Sequence, residues 1–440
     1  MFHHKDYQSF AADEPTEVPQ RAGEEVEFAA DEASASLPAR RRWAALGGAL
    51  FLQVVSVVAV FGVIAYSRVG MDKVQAGPGP TGLFEAARSG SYYTEMAEEE
   101  KVALFQDFKA KYHKHYESDD EEEKRYNNFL GNLVRIDSLN AGPVGATYGI
   151  TQFSDFTEEE LKKIKGYKVD EDRASFGATD AAAVDTSTYN DGLYGYIDYS
   201  RELCSVQERF PDFCDIDDPD DLPDTFDWRD YDVVTEMRNQ YICGDCWAFA
   251  ITESMSSQWY LYGNDMESVS AQEMTSCNEW CWGCDGGWFV GGFTKAMQMT
   301  WASDEYYPFM SRNGVTQDCR ADIVENGNTS THISGWGKVE ADGIEMEMKL
   351  ALYRNGPMVV AVDATSMEFY IEGIDPATNC DTFSLDHAVT LVGWDTDDDT
   401  GVDYWIVKNS WGDIWGEDGY WKVVFGRNSC GISEYAMFTV

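Results

Sequence analysis

A cysteine at the mouth of an apolar helical run is the strongest candidate for chemistry in this 440-residue chain. Cys243-Gly244-Asp245-Cys246-Trp247 leads into the stretch Trp247 to Tyr262, whose apolar spacing predicts a buried helix. Unsatisfied N–H groups and the macrodipole at a helix start favour a thiolate, which suits Cys246 to be a nucleophile. Such a sulfur needs a base, and the base needs a group to orient it. Of the six histidines, His3, His4, His113 and His115 lie in the N-terminal tail or in a charged helical region, which leaves His332 and His387. His387, in Leu385-Asp386-His387-Ala388-Val389, stands at the entry of an apolar strand, where rigid backbone would aim its ring into a cleft; His332 reads as a surface or structural histidine. Asn409, in Lys408-Asn409-Ser410-Trp411-Gly412, follows another apolar strand and would hold the imidazole in the tautomer that pairs with the sulfur. Gln240, six residues before Cys246, would offer its amide N–H to a developing oxyanion beside the Cys246 backbone N–H. This is equipment for acyl transfer through a thioester. The plain alternative, a structural half-cystine at Cys246, leaves the other three residues unexplained.

Elements able to position these groups follow from pattern. Strand-like runs recur at Met358 to Val362, Ala388 to Val392 and Tyr404 to Val407, so a helical half precedes a β-rich half, an α+β architecture with a cleft between the halves. Upstream, Phe105, Phe108, Tyr112 and Tyr116 recur at spacings of three and four, and a second helical stripe runs through Glu121, Arg125, Phe129, Asn132, Ile136 and Asn140. Gly149 to Asp155 reads as an extended strand running into a helix near Thr157. From Val169 to Asp221 the sequence is acidic, with weak periodicity, and reads as a mostly irregular linker.

These residues, taken together, resemble the papain and cathepsin L group of cysteine peptidases, whose cysteine signature is a known one. Further matches are Asp227-Trp228-Arg229, Gly283-Cys284-Asp285-Gly286-Gly287, Gly356-Pro357, Trp415-Gly416 with Gly419-Tyr420, and Cys430-Gly431-Ile432. The stripe from Glu121 to Asn140 resembles the ERFNIN-type pattern of the family's inhibitory prodomain, and Gly149 to Asp155 its second motif, with Thr151 where the family usually has Asn. The resemblance implies a papain-like two-lobed fold: a helical lobe, a β-barrel-like lobe, the active-site cleft between them, and a helical prodomain that blocks the cleft. It implies disulfides Cys243 to Cys284, Cys277 to Cys319 and Cys380 to Cys430, and leaves Cys204, Cys214 and Cys281 open: Cys204 with Cys214, or a bridge from the linker to Cys281. It places Gly286, Gly287, Asp386 and Trp411 along the substrate cleft, with Trp411 shielding the contact between Asn409 and His387. Trp288, Phe289, Ala361, Ala388 and Tyr435 would line the pocket for the side chain two places before the scissile bond. Bulky Tyr435 at its floor suggests a shallow pocket for medium apolar groups. Two departures flank the nucleophile. Asp245 replaces the usual Ser and would raise the thiol pKa as a carboxylate, and Tyr241 replaces the usual Gly on the stretch that shapes the oxyanion region.

Composition bounds the rest. A net charge of −45 and a pI near 4.2 exclude a nucleic-acid binder and suit an acidic compartment, while 44% hydrophobic residues support a sizeable core. Trp43 to Tyr66 is 24 positions without a charge, preceded by Arg40, Arg41 and Arg42, which predicts one transmembrane helix with the N-terminus cytosolic. A cleaved signal peptide is the rival, disfavoured by the length of the run and the 42 residues before it. The expected organisation is a cytosolic acidic tail (1–42), a signal anchor (43–66), an inhibitory prodomain (98–165), an acidic linker with the processing region (166–221) and the peptidase domain (222–440). Tyr7-Gln8-Ser9-Phe10 resembles an endocytic sorting signal, and Asn328-Thr329-Ser330 is a glycosylation sequon usable in a lumen. No cofactor or metal is expected, nor a nucleic-acid partner. The expected partners are protein or peptide substrates, the chain's own prodomain as intramolecular inhibitor, and the membrane through residues 43–66, the molecule being a monomer. The function expected is that of an acid-activated zymogen of a cysteine endopeptidase, in a lysosome- or vacuole-like compartment or outside the cell. A peptide ligase and a catalytically weak peptide-binding protein are the alternatives.

Overall fold

The computed structural model describes residues 92–169, 196–198, 204, 208–326, 331–339 and 345–440. The tail, the run 43–66 and the sequon at Asn328 lie outside them, and no helix among the described residues is long and apolar enough to cross a membrane.

The prodomain begins with α1 (Glu98–Lys111) and α2 (Asp119–Asn140). Their stripes meet: Phe105, Phe108 and Phe129 are buried within 6 Å of one another, ring centre to ring centre. Ser118 caps α2 by accepting the Glu121 N–H, and four acidic residues follow in the first turn, where the helix dipole favours them. At the far end the Asn140 side chain bonds both N–H and C=O of Tyr148, which fixes where β1 (Ala146–Tyr148) leaves the helix. A capping box between Thr157 and Glu160 starts α3 (Glu158–Lys163). Buried Asn132 donates to the carbonyls of Ser154 and Phe156, and Arg125 grips the Glu160 carboxylate with both terminal nitrogens at 2.7 and 2.8 Å. The prodomain is thus a helical clamp held by polar groups on one face of α2.

The linker contributes β2 (Tyr196–Asp198); after it come β3 (Phe226–Asp227) and the helical lobe of α4 (Cys246–Leu261), α5 (Ala271–Cys277), α6 (Phe289–Ala296) and α7 (Ala321–Asn326). The β lobe holds β4 (Trp336–Lys338), α8 (Glu345–Asn355), β5 (Met358–Val362), β6 (Tyr370–Asp375), β7 (His387–Thr396), β8 (Asp403–Lys408), β9 (Tyr420–Val424) and β10 (Ala436–Thr439). Among the described residues they form one sheet in the order β1-β6-β9-β8-β7-β5-β10-β4-β2, with β3 on β7. The prodomain therefore docks by adding β1 antiparallel to β6, and the linker adds β2 parallel to β4. Periodicity does not announce β2, because a strand of three residues is too short to show it. Downstream of it, Phe213 packs against Phe226, Trp228 and Tyr353.

Fourteen of the 16 residues of α4 are buried, so the nucleophile stands on the central helix of the domain. Its polar residues are matched: Glu253 binds Arg238 and Lys408 at 3.2 and 2.8 Å, and Ser254 donates to the Pro357 carbonyl. Lys408 also donates to Thr235 and Glu236, which locks the end of β8 one residue before Asn409. Disulfides join Cys243 to Cys284, Cys277 to Cys319, Cys380 to Cys430 and Cys204 to Cys214. The linker is therefore crosslinked to itself, while the buried Cys281 sulfur lies 3.7 Å from the Trp288 carbonyl.

Candidate active site

Cys246 is the first residue of α4 and His387 the first of β7, so the start of the central helix faces the start of a central strand. The Ala388 N–H points at the Cys246 sulfur from 3.4 Å. His387 Nε2 lies 2.8 Å from Asn409 Oδ1, and the Trp411 ring stacks on the imidazole at 4.7 Å. That leaves His387 Nδ1 buried with no hydrogen-bond partner among the described residues. Gln240 Oε1 accepts from the Ser410 hydroxyl, which turns the amide nitrogen toward the cleft. Ser410 thus orients one donor much as Asn409 orients the base. Sequence reasoning named Asn409 and Trp411 on either side of it and passed over the serine between.

The cleft is filled by the chain's own residues 164–168. Ile164 C=O accepts from Gln240 Nε2 at 2.8 Å, the position an oxyanion would take. The Gly166 N–H faces the Cys246 sulfur, and a Cβ on Gly166 would stand 1.7 Å from the Gly244 carbonyl, so only glycine passes the nucleophile this closely. Gly166 and Lys168 then bond to the backbone of Gly287, and the Tyr167 N–H donates to the Asp386 carbonyl at 3.0 Å. The Tyr167 ring enters the pocket expected for the second residue before the scissile bond, 4.6 Å from Phe289 and 6.3 Å from Tyr435, centre to centre. Ala361, Ala388 and Phe289 are buried in the same cluster, with Trp288 packed at its edge. The pocket therefore accepts a whole phenol. Tyr435 does not make it shallow, and Lys338 lies over the Tyr435 ring at 5.3 Å.

Burial in the covered cleft shifts the thiol and the imidazole away from the charged pair. It pushes the Cys246 thiol up to about 12, against the Ala388 and Gly166 N–H groups, and it pushes His387 down to about 3, against its bond to Asn409. The covered cleft holds a neutral thiol and a neutral imidazole. The low-pKa thiolate expected from the helix start is overridden here by desolvation that the sequence around Cys246 does not contain.

Both departures beside the nucleophile have a structural account. Asp245 is fully buried and turned away from the cleft; Oδ2 accepts from Thr275 Oγ1 at 2.8 Å and Oδ1 has no partner among the described residues. Burial holds its carboxyl well above the usual carboxylate range, and its proximity helps to raise the Cys246 thiol in the sense expected, behind the larger effect of burial. Tyr241 has φ +55°, a left-handed conformation that favours the usual glycine, and its exposed ring lies under the Arg312 guanidinium, clear of the cleft. In the prodomain, the Thr151 hydroxyl donates to the Glu368 carbonyl at 2.6 Å, so that departure is accommodated as well. His332 is exposed, with Trp259 as its ring neighbour, outside the site.

A model of the papain family cysteine proteases matches residues 222–440, and one of the cathepsin propeptide inhibitor domain (I29) matches 105–161. Cysteine proteinase B of Leishmania mexicana is 34% identical over 341 residues, spanning 76% of this chain and 68% of its own length. The chain belongs to the papain family. A viral cathepsin of the Lymantria dispar multicapsid nuclear polyhedrosis virus is 33% identical, over 74% of this chain and 82% of its own. Among solved structures, digestive procathepsin L 3 of Tenebrio molitor larval midgut superposes with a TM-score of 0.60 at 28% identity, over 77% of this chain and 99% of its own. This papain-family chain is a cysteine peptidase in its zymogen form, with its own propeptide as inhibitor.

Proposed function

We propose that the chain is an endopeptidase zymogen, anchored by residues 43–66 with its peptidase domain in an acidic lysosome- or vacuole-like lumen, and activated there by acid. The observation that supports this best is the path of residues 164–168, with a carbonyl on the Gln240 amide and a glycine over Cys246. Once the segment leaves, water and substrate restore a polar setting, and the proton moves from Cys246 to His387. The thiolate attacks a peptide carbonyl, Gln240 Nε2 and the Cys246 N–H hold the oxyanion, and His387 protonates the leaving amine. Water then attacks the thioester and returns the thiol.

Carboxyls near the prodomain respond to acid in opposite directions. Burial beneath the segment raises Glu368 and Asp386, against the pull of Lys165, so the closed form holds their protons more tightly and acid favours closure there. Glu160 responds the other way. Burial raises it, but the Arg125 fork and the Thr157 N–H outweigh burial and lower its carboxyl. Its stabilising effect is present above an ordinary pKa of about 4.3 and lost as pH falls through the depressed value. Lys109 and Lys162 lower Glu122 and Glu158 in the same sense. The trigger is therefore the clamp between α2 and α3, and not the cleft.

The test takes the segment from Ser67 onward from pH 7 down through the depressed carboxylate range, to about pH 3.5, beside Cys246→Ala and with a thiol-directed epoxide. Activity, labelling and a drop in size that appear together in acid and vanish in the variant support the reading. A folded protein that neither labels nor cleaves refutes it.

A further inference from the structure

Lys165 carries the only described ammonium of the inhibitory segment that is buried against the enzyme. Its Nζ lies 3.0 Å from Glu368 Oε1 and 3.0 Å from Asp386 Oδ2, with its side chain 6% exposed. Both carboxylates belong to the β lobe: Asp386 precedes the base His387, and Glu368 lies just before β6. Asp386 Oδ1 is fixed by the Ala364 N–H at 3.0 Å. Glu368 is 1% exposed, and its Oε2 has no hydrogen-bond partner among the described residues. Besides Lys165, two further prodomain groups lie against this stretch: Thr151 on the Glu368 carbonyl, and Arg135 over the ring of the neighbouring Phe369 at 5.1 Å. When the prodomain departs, a carboxylate pair with an unused acceptor is left at the cleft wall.

The segment also says which subsite this is. Tyr167 occupies the pocket of the second residue before the scissile bond, Gly166 crosses the nucleophile, and Lys165 lies beyond it, beside the histidine that protonates the leaving amine. We propose that Glu368, with Asp386, forms an acidic subsite for the residue immediately after the scissile bond, and that the mature enzyme prefers lysine or arginine there. This rests on the peptidase reading and adds a substrate class to it. The bond cleaved is the ordinary peptide C–N; water's hydroxyl goes to the acyl carbon, and the released fragment begins with the basic residue as its free amine. An ammonium between two carboxylates, where Lys165 sits in the zymogen, avoids leaving two like charges side by side, whereas an acidic residue would add a third.

The test uses enzyme matured from the full zymogen and quenched fluorescent peptides that differ only after the scissile bond: lysine, norleucine or glutamate. Lysine should exceed norleucine by at least about tenfold in kcat/KM, the effect of one shielded charge-assisted hydrogen bond, with glutamate slowest. Within Glu368→Gln the ratio of lysine to norleucine should collapse toward one, and within Glu368→Lys glutamate should overtake lysine. Each ratio is internal to one variant, so a general loss of activity cancels. Turnover of all three peptides at similar rates by the unaltered enzyme overturns the subsite and leaves the peptidase reading standing, as does a lysine preference that survives both substitutions. No turnover of any peptide overturns both.

Discussion

Replacing Glu160 by Gln should fix at every pH the uncharged state that acid produces in the prodomain clamp. In the zymogen its carboxylate takes both terminal nitrogens of Arg125, and Arg125 also reaches the Asp155 carbonyl at 3.2 Å and Glu121 at 3.9 Å. Asp155 is itself bound by Lys114 and Tyr116, so the pair sits in a wider network. A shielded charge-assisted hydrogen bond contributes about 1.5–3 kcal/mol. Here the side chains are 22% and 33% exposed, and solvent screening reduces the pair to about 1–2 kcal/mol. That is roughly a 5- to 30-fold rise in the fraction of open prodomain. One titrating proton changes stability by about 1.4 kcal/mol per pH unit, so the onset of self-processing should move up by roughly one unit. The assay is the initial rate of the size drop of full-length zymogen from about pH 3 to about pH 8, with Cys246→Ala as the zero. An onset unmoved in Glu160→Gln, with the helical signal of the prodomain intact, would refute the assignment of the trigger to this clamp.

The other expectations concern the enzyme itself. Because the buried Asp245 carboxyl is raised, the folded chain keeps its proton after the unfolded chain has lost it, and stability falls with rising pH above about pH 4, by up to about 1.4 kcal/mol per unit, until the group ionises. Asp245→Asn should gain on the unaltered protein across that window in urea unfolding; a pH-independent difference would count against a raised Asp245 carboxyl. Asn409→Ala removes the 2.8 Å partner of His387 and should lower kcat by about 10- to 100-fold with KM little changed, and an unchanged kcat would take Asn409 out of the site. Glu253→Gln leaves Lys408 and Arg238 together without their carboxylate and should cost about 3–5 kcal/mol, read as a Tm lower by roughly 10 °C. A Tm within about 2 °C would show that water replaces the carboxylate there.

What could be read beforehand follows locality. Cys246, His387, Asn409 and Gln240 sit in short segments whose patterns announce a helix start or a strand end, and the Phe105 and Arg125 stripes announce the prodomain helices. Lys165 could not be read that way: in a charged stretch a lysine reads as solvated, and only the docking of the β lobe buries it. The same holds for the shifted thiol and imidazole, whose burial is completed by groups distant in sequence, Gly166 over Cys246 and Trp411 on His387. Asp245 shows its charge in the sequence, yet its raised carboxyl comes from burial within the helical lobe, against the hydrogen bond from Thr275 one helix away. The size of the Tyr167 pocket depends on how Phe289 and Tyr435 are placed, which composition does not specify.

The two ends of the sheet carry a consequence of their own. One is closed by β1 and the other by β2, and both strands come from residues before the peptidase match at 222. Processing that removes those residues lays bare the hydrogen-bonding rims of β6 and β4 at the same moment as it opens the cleft. The β6 rim is a poor template, with Gly373 at φ +86° and a register shift opposite Tyr148. The short β4 rim, Trp336 to Lys338, lacks those defects and is guarded only by its brevity. Removal of β1 and β2 would thus change which backbone edges this molecule presents to other chains as well as what it can cut.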